Sequence, residues 1–163
     1  MTMEAYDLRE KIAEAGAASL QEGSTDPFQP CDLLLDAVEE TRQLQGLADI
    51  AGEALSVQPV DPVRYYLRGF ALVRLGRIEE AGKTLASLCG KLEQDGRWDI
   101  LGSLLPKALD AIPSVEAARC VAKLGETSGI EKIDRETLEH AYSLFPNEER
   151  LAYLMGERAA ADG

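Results

Sequence analysis

The sequence predicts an all-α fold of antiparallel helix pairs stacked into a solenoid, and three observations carry that expectation. Apolar residues recur at spacings of three and four through most of the 163 residues, the repeat of one helix face. Gly, Pro, Asp and Ser interrupt that pattern at "EGSTDPFQP", "QPVDP", "LGR", "QDGR", "IPS", "SGIEKID" and "FPN". Alternating apolar and polar runs of strand length are absent.

Nine helical segments follow in order. The first, 3–21, places Leu8, Ile12 and Leu20 on one face, and the second, 30–44, does the same with Leu34, Leu35 and Val38. A third spans 47–57 and stops at "QPVDP". The fourth, 62–75, is signed by Asp61 before Pro62, a side-chain cap ahead of a proline at the first helical position. The fifth, 78–94, follows the turn at Gly76. The sixth, 97–111, carries Ile100, Leu101, Leu104, Leu105 and Leu109. Ser114 caps the seventh, 114–126, and Asp134 caps the eighth, 134–145, with Thr137 at its third position and Leu138, Tyr142 and Phe145 on one face. The ninth is 147–160. Short connections make chain neighbours antiparallel.

Composition narrows the function. The formal net charge of −12 opposes nucleic-acid binding, because phosphate contacts need a surplus of Lys and Arg. It favours a basic or amphipathic protein partner. Residues 1–60 hold twelve acids against three bases, whereas 61–97 hold five against seven, so a basic island sits between acidic flanks. Cys31, Cys89 and Cys120 are too far apart for a zinc site, and His140 is the single histidine, so no metal or cofactor is expected. The thiols read as small apolar core residues, which suits the cytoplasm. There is no signal-peptide pattern and no apolar run long enough to span a membrane. His140 lacks a nucleophile at a useful spacing, and "LGETSGI" lacks the lysine of a phosphate loop, so an enzyme is not expected.

Between Tyr65 and Ala81 the chain reads "YYLRGFALVRLGRIEEA". Glycine inside a helix costs about 1 kcal/mol relative to alanine, and close helix approach is the usual compensation. Gly69 is therefore expected to face Ala81 across a helix pair. Tyr65, Gly69, Leu72, Ala81 and Leu85, with Ala54 and Pro59 closing the preceding unit, lie at the offsets of the tetratricopeptide repeat, a 34-residue helix pair. The chain resembles that family over 28–85, as units 28–61 and 62–95, with looser echoes over 96–160 and a cap helix at 3–21. "GRWDILGSLLPKAL" is similar to stretches in helical-repeat extensions of transcript-cleavage elongation factors, and small acidic repeat proteins of this length include type III secretion chaperones.

The resemblance implies a single right-handed solenoid domain over 1–163 and a concave groove lined by the first helix of each pair. Position by position, Val63, Tyr66, Phe70, Val73 and Arg74 would face that groove, and Asp32 and Asp36 would do so in the preceding unit. The implied function is a protein–protein adaptor or chaperone-like module that grips a peptide. The alternative is a regulatory or oligomerisation domain of a larger protein, or a homodimer through its end helices. Trp98 is expected in the core, and His140 at or near the surface.

Overall fold

The computed structural model describes residues 5–21, 26–57, 61–129 and 133–161. Among these residues lie nine α-helices and no strand: α1 (Ala5–Ala18), α2 (Gln29–Glu40), α3 (Leu44–Val57), α4 (Pro62–Arg74), α5 (Ile78–Gln94), α6 (Trp98–Ala111), α7 (Val115–Ser128), α8 (Arg135–Leu144) and α9 (Glu149–Ala161). Pro59, one of the repeat positions, and residues 3 and 4 of the first expected segment lie outside the described residues, as does the side chain of Ala54. The chain forms two compact units, Met1–Lys91 and Leu92–Gly163, and the boundary falls within α5.

In the first unit α3 lies along α4, α1 packs on α2 and α3, and α2 packs on α4. Leu35, Val38, Leu47, Ala48, Ala51, Leu67, Ala71 and Leu72 are fully buried there. Each such leucine contributes about 1.5–3 kcal/mol over the exposed state. The Asp61 carboxylate accepts the backbone N–H of Val63 at 3.0 Å and also that of Arg64, so the expected cap is present.

The turn between α2 and α3 comes earlier than expected. Arg42 takes the left-handed region at φ 61°, and the N–H of Gln43 reaches back to the Val38 carbonyl at 2.7 Å. Gly76 does the same job between α4 and α5 at φ 80°, with Arg77 bonded to the Leu72 carbonyl at 2.9 Å. Both are helix-ending motifs that need a left-handed residue, and glycine meets that need without a Cβ penalty. An arginine in that role carries no sequence signal, which is why the break at 41–43 was not expected.

Gly69 does permit a close approach, but its nearest neighbours are not Ala81. A Cβ at 69 would sit 2.7 Å from Leu85 Cδ2 and 2.9 Å from Leu85 Cγ, with Thr84 Cγ2 at 3.6 Å. The glycine therefore accommodates a leucine one turn beyond Ala81, and Ala81 is itself fully buried.

In the second unit α6 packs on α7, and α9 packs on α7 and α8. Its interior is aliphatic: Leu101, Leu104, Leu109, Ala118, Val121, Ala122, Leu138 and Leu151 are buried. Pro106 sits inside α6, where it removes one helix hydrogen bond at a cost of about 3 kcal/mol. Six buried apolar side chains on the same helix offset that cost. Ser114 caps α7 by accepting the Ala117 N–H at 3.2 Å. Asp134 stands at the α8 cap position without a side-chain bond to the backbone, and instead lies 3.5 Å from the Thr137 hydroxyl. Gly125 faces Ile133 and Leu154, whose methyl groups would lie 2.6 Å and 2.9 Å from an added Cβ.

Candidate functional site

The residues expected to line a groove converge where α2 meets α4, and they divide by burial. Val63 and Tyr66 are 4% and 1% exposed, so they lie in the interior and not on an open surface. Gly16 of α1 lies beside Val63, with 3.9 Å from its missing Cβ to Val63 Cγ1. Phe70, Val73, Arg74 and Asp32 are half-buried, and Asp36 is exposed.

Tyr66 is the centre of this face. Its ring stacks on Phe28 at 4.2 Å between centroids, 6° from parallel, and meets Phe70 at 4.5 Å in a tilted arrangement. Its hydroxyl donates to Asp32 Oδ1 at 2.6 Å. Burial, followed by the hydrogen bond and charge of Asp32, pushes the phenol well above the usual tyrosine range. Tyr66 is therefore a neutral hydrogen-bond donor locked between α2 and α4. Just over two turns further on, Arg74 Nη1 donates to Asp36 Oδ1 and Glu39 Oε2, each at 2.8 Å. Thus the two acidic positions expected in the groove are engaged by two of the expected α4 residues.

On α2, Leu33 is 63% exposed and Asp36, Glu39 and Glu40 are exposed further along the helix, which contains no basic residue. Phe70 closes the aromatic row with part of its ring at the surface.

Phe28 was missed as a site residue because it lies in a Pro-rich turn, where no periodicity points to it. The signal available was its aromatic character just ahead of an apolar face. The pairing of Glu39 with Arg74 could not be read from spacing.

The opposite side of α4 bounds a different feature. Asp49, Gly52, Glu53 and Leu55 of α3, Tyr65 and Arg68 of α4, and Lys83, Thr84 and Ser87 of α5 surround an open depression of about 670 Å³. Arg68 Nη1 donates to the Ala48 carbonyl at 2.8 Å. Its guanidinium lies on Gly52, where an added Cβ would come within 2.4 Å of Nη1 and would push the end of the side chain aside. Sequence reasoning missed this pair, although an unexplained glycine inside α3 was its visible trace.

In the second unit the polar groups form surface pairs. Lys123 Nζ reaches Glu93 Oε2 at 2.8 Å, which raises the ammonium above its ordinary value, and the Cys120 thiol points to the same carboxylate at 3.5 Å. Arg150 grips Glu126 with two bonds of 2.9 Å and 2.6 Å, and this holds the Glu126 carboxyl below its ordinary value. His140 is half-buried with Nδ1 3.4 Å from Asp110 Oδ1. Trp98 is half-buried at the start of α6, less enclosed than expected. Cys31 and Cys89 are buried, Cys120 is half-buried, and none of the three is in a disulfide. No group of three or more metal-ligating side chains occurs among the described residues, and no described helix is long and apolar enough to cross a membrane.

No family model, curated protein or solved structure matches this chain.

Proposed function

We propose that the chain is a helical-repeat module of tetratricopeptide type that binds a partner protein, with the α2–α4 face as the docking surface. The observation that carries this reading is the bond between Asp32 and Tyr66, two side chains 34 residues apart that occupy the same position in successive units. Three more features support it. Arg74 reaches Glu39 across 35 residues. The left-handed turns at Arg42 and Gly76 end α2 and α4 in the same way. Leu33 on α2 and the half-buried Phe70 on α4 then offer apolar side chains alongside the acids of α2, a composition suited to a basic amphipathic segment.

In this mechanism the buried Tyr66 sets the spacing of the two helices and does not touch the partner. Phe70 and Leu33 bury partner side chains, while Asp36, Glu39 and Glu40 orient its charges. Affinity capture with the full chain tests the reading, with Phe70→Ser and Leu33→Ser as comparisons. A partner held by the parent protein and lost by both variants, with helicity unchanged by circular dichroism, is the expected result. Equal capture by all three proteins excludes this face.

A second reading, self-association through an end helix, has one observation in its favour. Tyr153 on α9 is 65% exposed and stands near the exposed Gly156. Sedimentation of the parent and of Tyr153→Ser distinguishes the two: a concentration-dependent dimer abolished by Tyr153→Ser supports assembly.

A further inference from the structure

Arg68 is set apart from the other arginines of its neighbourhood. Arg64 pairs with Asp61, Arg74 with Asp36 and Glu39, and Arg77 with Glu80. Arg68 is half-buried, yet among the described residues no carboxylate lies within 4.0 Å of its guanidinium, in a protein with twelve excess negative charges. Its one hydrogen bond goes to the Ala48 carbonyl. The two acids that share its depression are held by other groups. Gln45 donates to Asp49 at 2.8 Å, and Arg9 pairs with Glu53 at 3.4 Å. The other donors of its guanidinium are not sealed from solvent and open onto the depression, where a ligand carboxylate would replace water.

We propose that the depression bounded by α3, α4 and α5 binds a single carboxylate carried on a peptide or N-acylated amino acid, which completes the ion pair of Arg68. Three features select that chemistry. A guanidinium fork matches the two oxygens of one carboxylate. Asp49 and Glu53 balance Arg68 and Lys83 along the depression, so a singly charged carboxylate meets less repulsion there than a doubly charged phosphate. The hydroxyls of Thr84 and Ser87 donate to the Glu80 and Lys83 carbonyls of their own helix, at 2.9 Å and 3.1 Å. Their oxygens are thereby left to accept, and the N–H of an amide supplies what they need. The volume, about 670 Å³, lies within the range of small-ligand sites. This site is on a different side of α4 from the α2–α4 face and stands independently of it.

The test is an amide-resolved NMR titration of the full chain, following Gly52, Thr84 and Ser87. The probes are N-acetyl-alanine, which presents an α-carboxylate, and N-acetyl-glutamate with a blocked α-carboxyl, which presents only the side-chain carboxylate. Saturable shifts with either one support the proposal, and the tighter of the two identifies the source of the carboxylate. Arg68→Gln is expected to weaken binding by about tenfold or more, the scale of a lost charge-assisted pair. Where Arg68→Gln loses helicity, Arg68→Lys keeps the charge and the stem and is expected to bind about fivefold more weakly, because it lacks the fork. Shifts that do not saturate, equal binding by the Arg68 variant that folds, or equal saturation by inorganic phosphate overturns the assignment.

Discussion

The two compact units differ in what accompanies their long-range side-chain links: an aromatic row in the first and aliphatic packing in the second. In Met1–Lys91, α2 and α4 are joined by directional links between side chains 34, 35 and 38 residues apart: Tyr66 to Asp32, and Arg74 to Glu39 and Asp36. The Phe28–Tyr66–Phe70 row runs through the same seam. In Leu92–Gly163 no ring pair occurs among the described residues: the Gly125 notch against Ile133 and Leu154 lies in the interior, and the directional links are the ion pairs of Arg150 with Glu126 and Lys123 with Glu93. Directional bonds admit one register, because a slip leaves a buried polar group unpaired. Aliphatic packing admits alternatives of similar volume and loses uniqueness before it loses stability.

The largest effect should come from the ring row. Tyr66→Ala is expected to cost about 3–5 kcal/mol in urea unfolding, because it removes a fully buried aromatic and frees Phe28 and Phe70. Leu104→Ala in the second unit is expected to cost about 2–5 kcal/mol, with the half-buried Trp98 as its fluorescence reporter. A cost below about 1 kcal/mol for Tyr66→Ala would break the comparison, since the seam would then not be what holds α2 to α4.

The two tight glycines come next. Gly69→Ala and Gly125→Ala each place a Cβ within 3 Å of leucine or isoleucine carbons, and overpacking of this kind costs about 1–3 kcal/mol. Gly69 should be the more sensitive, because one of its close contacts is the branch carbon of Leu85, which cannot swing aside as freely as a terminal methyl. Equal and negligible losses in thermal unfolding would show both cores to be slack.

A pH titration sharpens the polar half of the contrast. The phenol of Tyr66 is held above the ordinary tyrosine value of 10.0 in the folded protein, chiefly by burial. Above about pH 10 the unfolded chain therefore releases a proton that the folded chain keeps. The stabilisation is complete below pH 10 and falls as pH rises beyond it, by at most about 1.4 kcal/mol per pH unit. Tyr66→Phe should remove that increment of alkaline sensitivity while costing about 1 kcal/mol at neutral pH.

The smallest effect concerns the paired turns. Arg42→Gly is expected to stabilise by about 0.5–1 kcal/mol, because glycine takes a left-handed φ without a Cβ penalty. Gly76→Ala, at the matching position of the next helix pair, is expected to destabilise by about 1 kcal/mol. Melting temperatures that shift the same way for both would contradict the equivalence of the two turns.

Much of the helical architecture was legible. Asp61 before Pro62 and Ser114 before Val115 marked helix starts that the side chains do cap. Gly76 and Gly96 marked turns with positive φ. The turn at Arg42 was not legible, because its conformation is imposed by Gln43 bonding back to Val38, and arginine is no sign of that. On the α2–α4 face, Asp32 and Tyr66 were expected to face a groove at corresponding positions, but neither their hydrogen bond nor the burial of Tyr66 was expected. Periodicity says that positions share a face, and it is silent on which distant residue covers them. Here the cover is Phe28, which belongs to a turn with no periodic signal.

The chain alone determined where helices begin and which stripe of each is apolar, because caps, proline and a 3.6-residue period act within a few residues of one another. Only the tertiary structure decided the use of α4: Tyr66 was enclosed by α2, Phe70 and Arg74 were left at its rim, and Arg68 was laid on Gly52 toward α5. Those outcomes depend on contacts between residues 16 to 38 positions apart, where side-chain volume and pairing, and not local preference, set the energy.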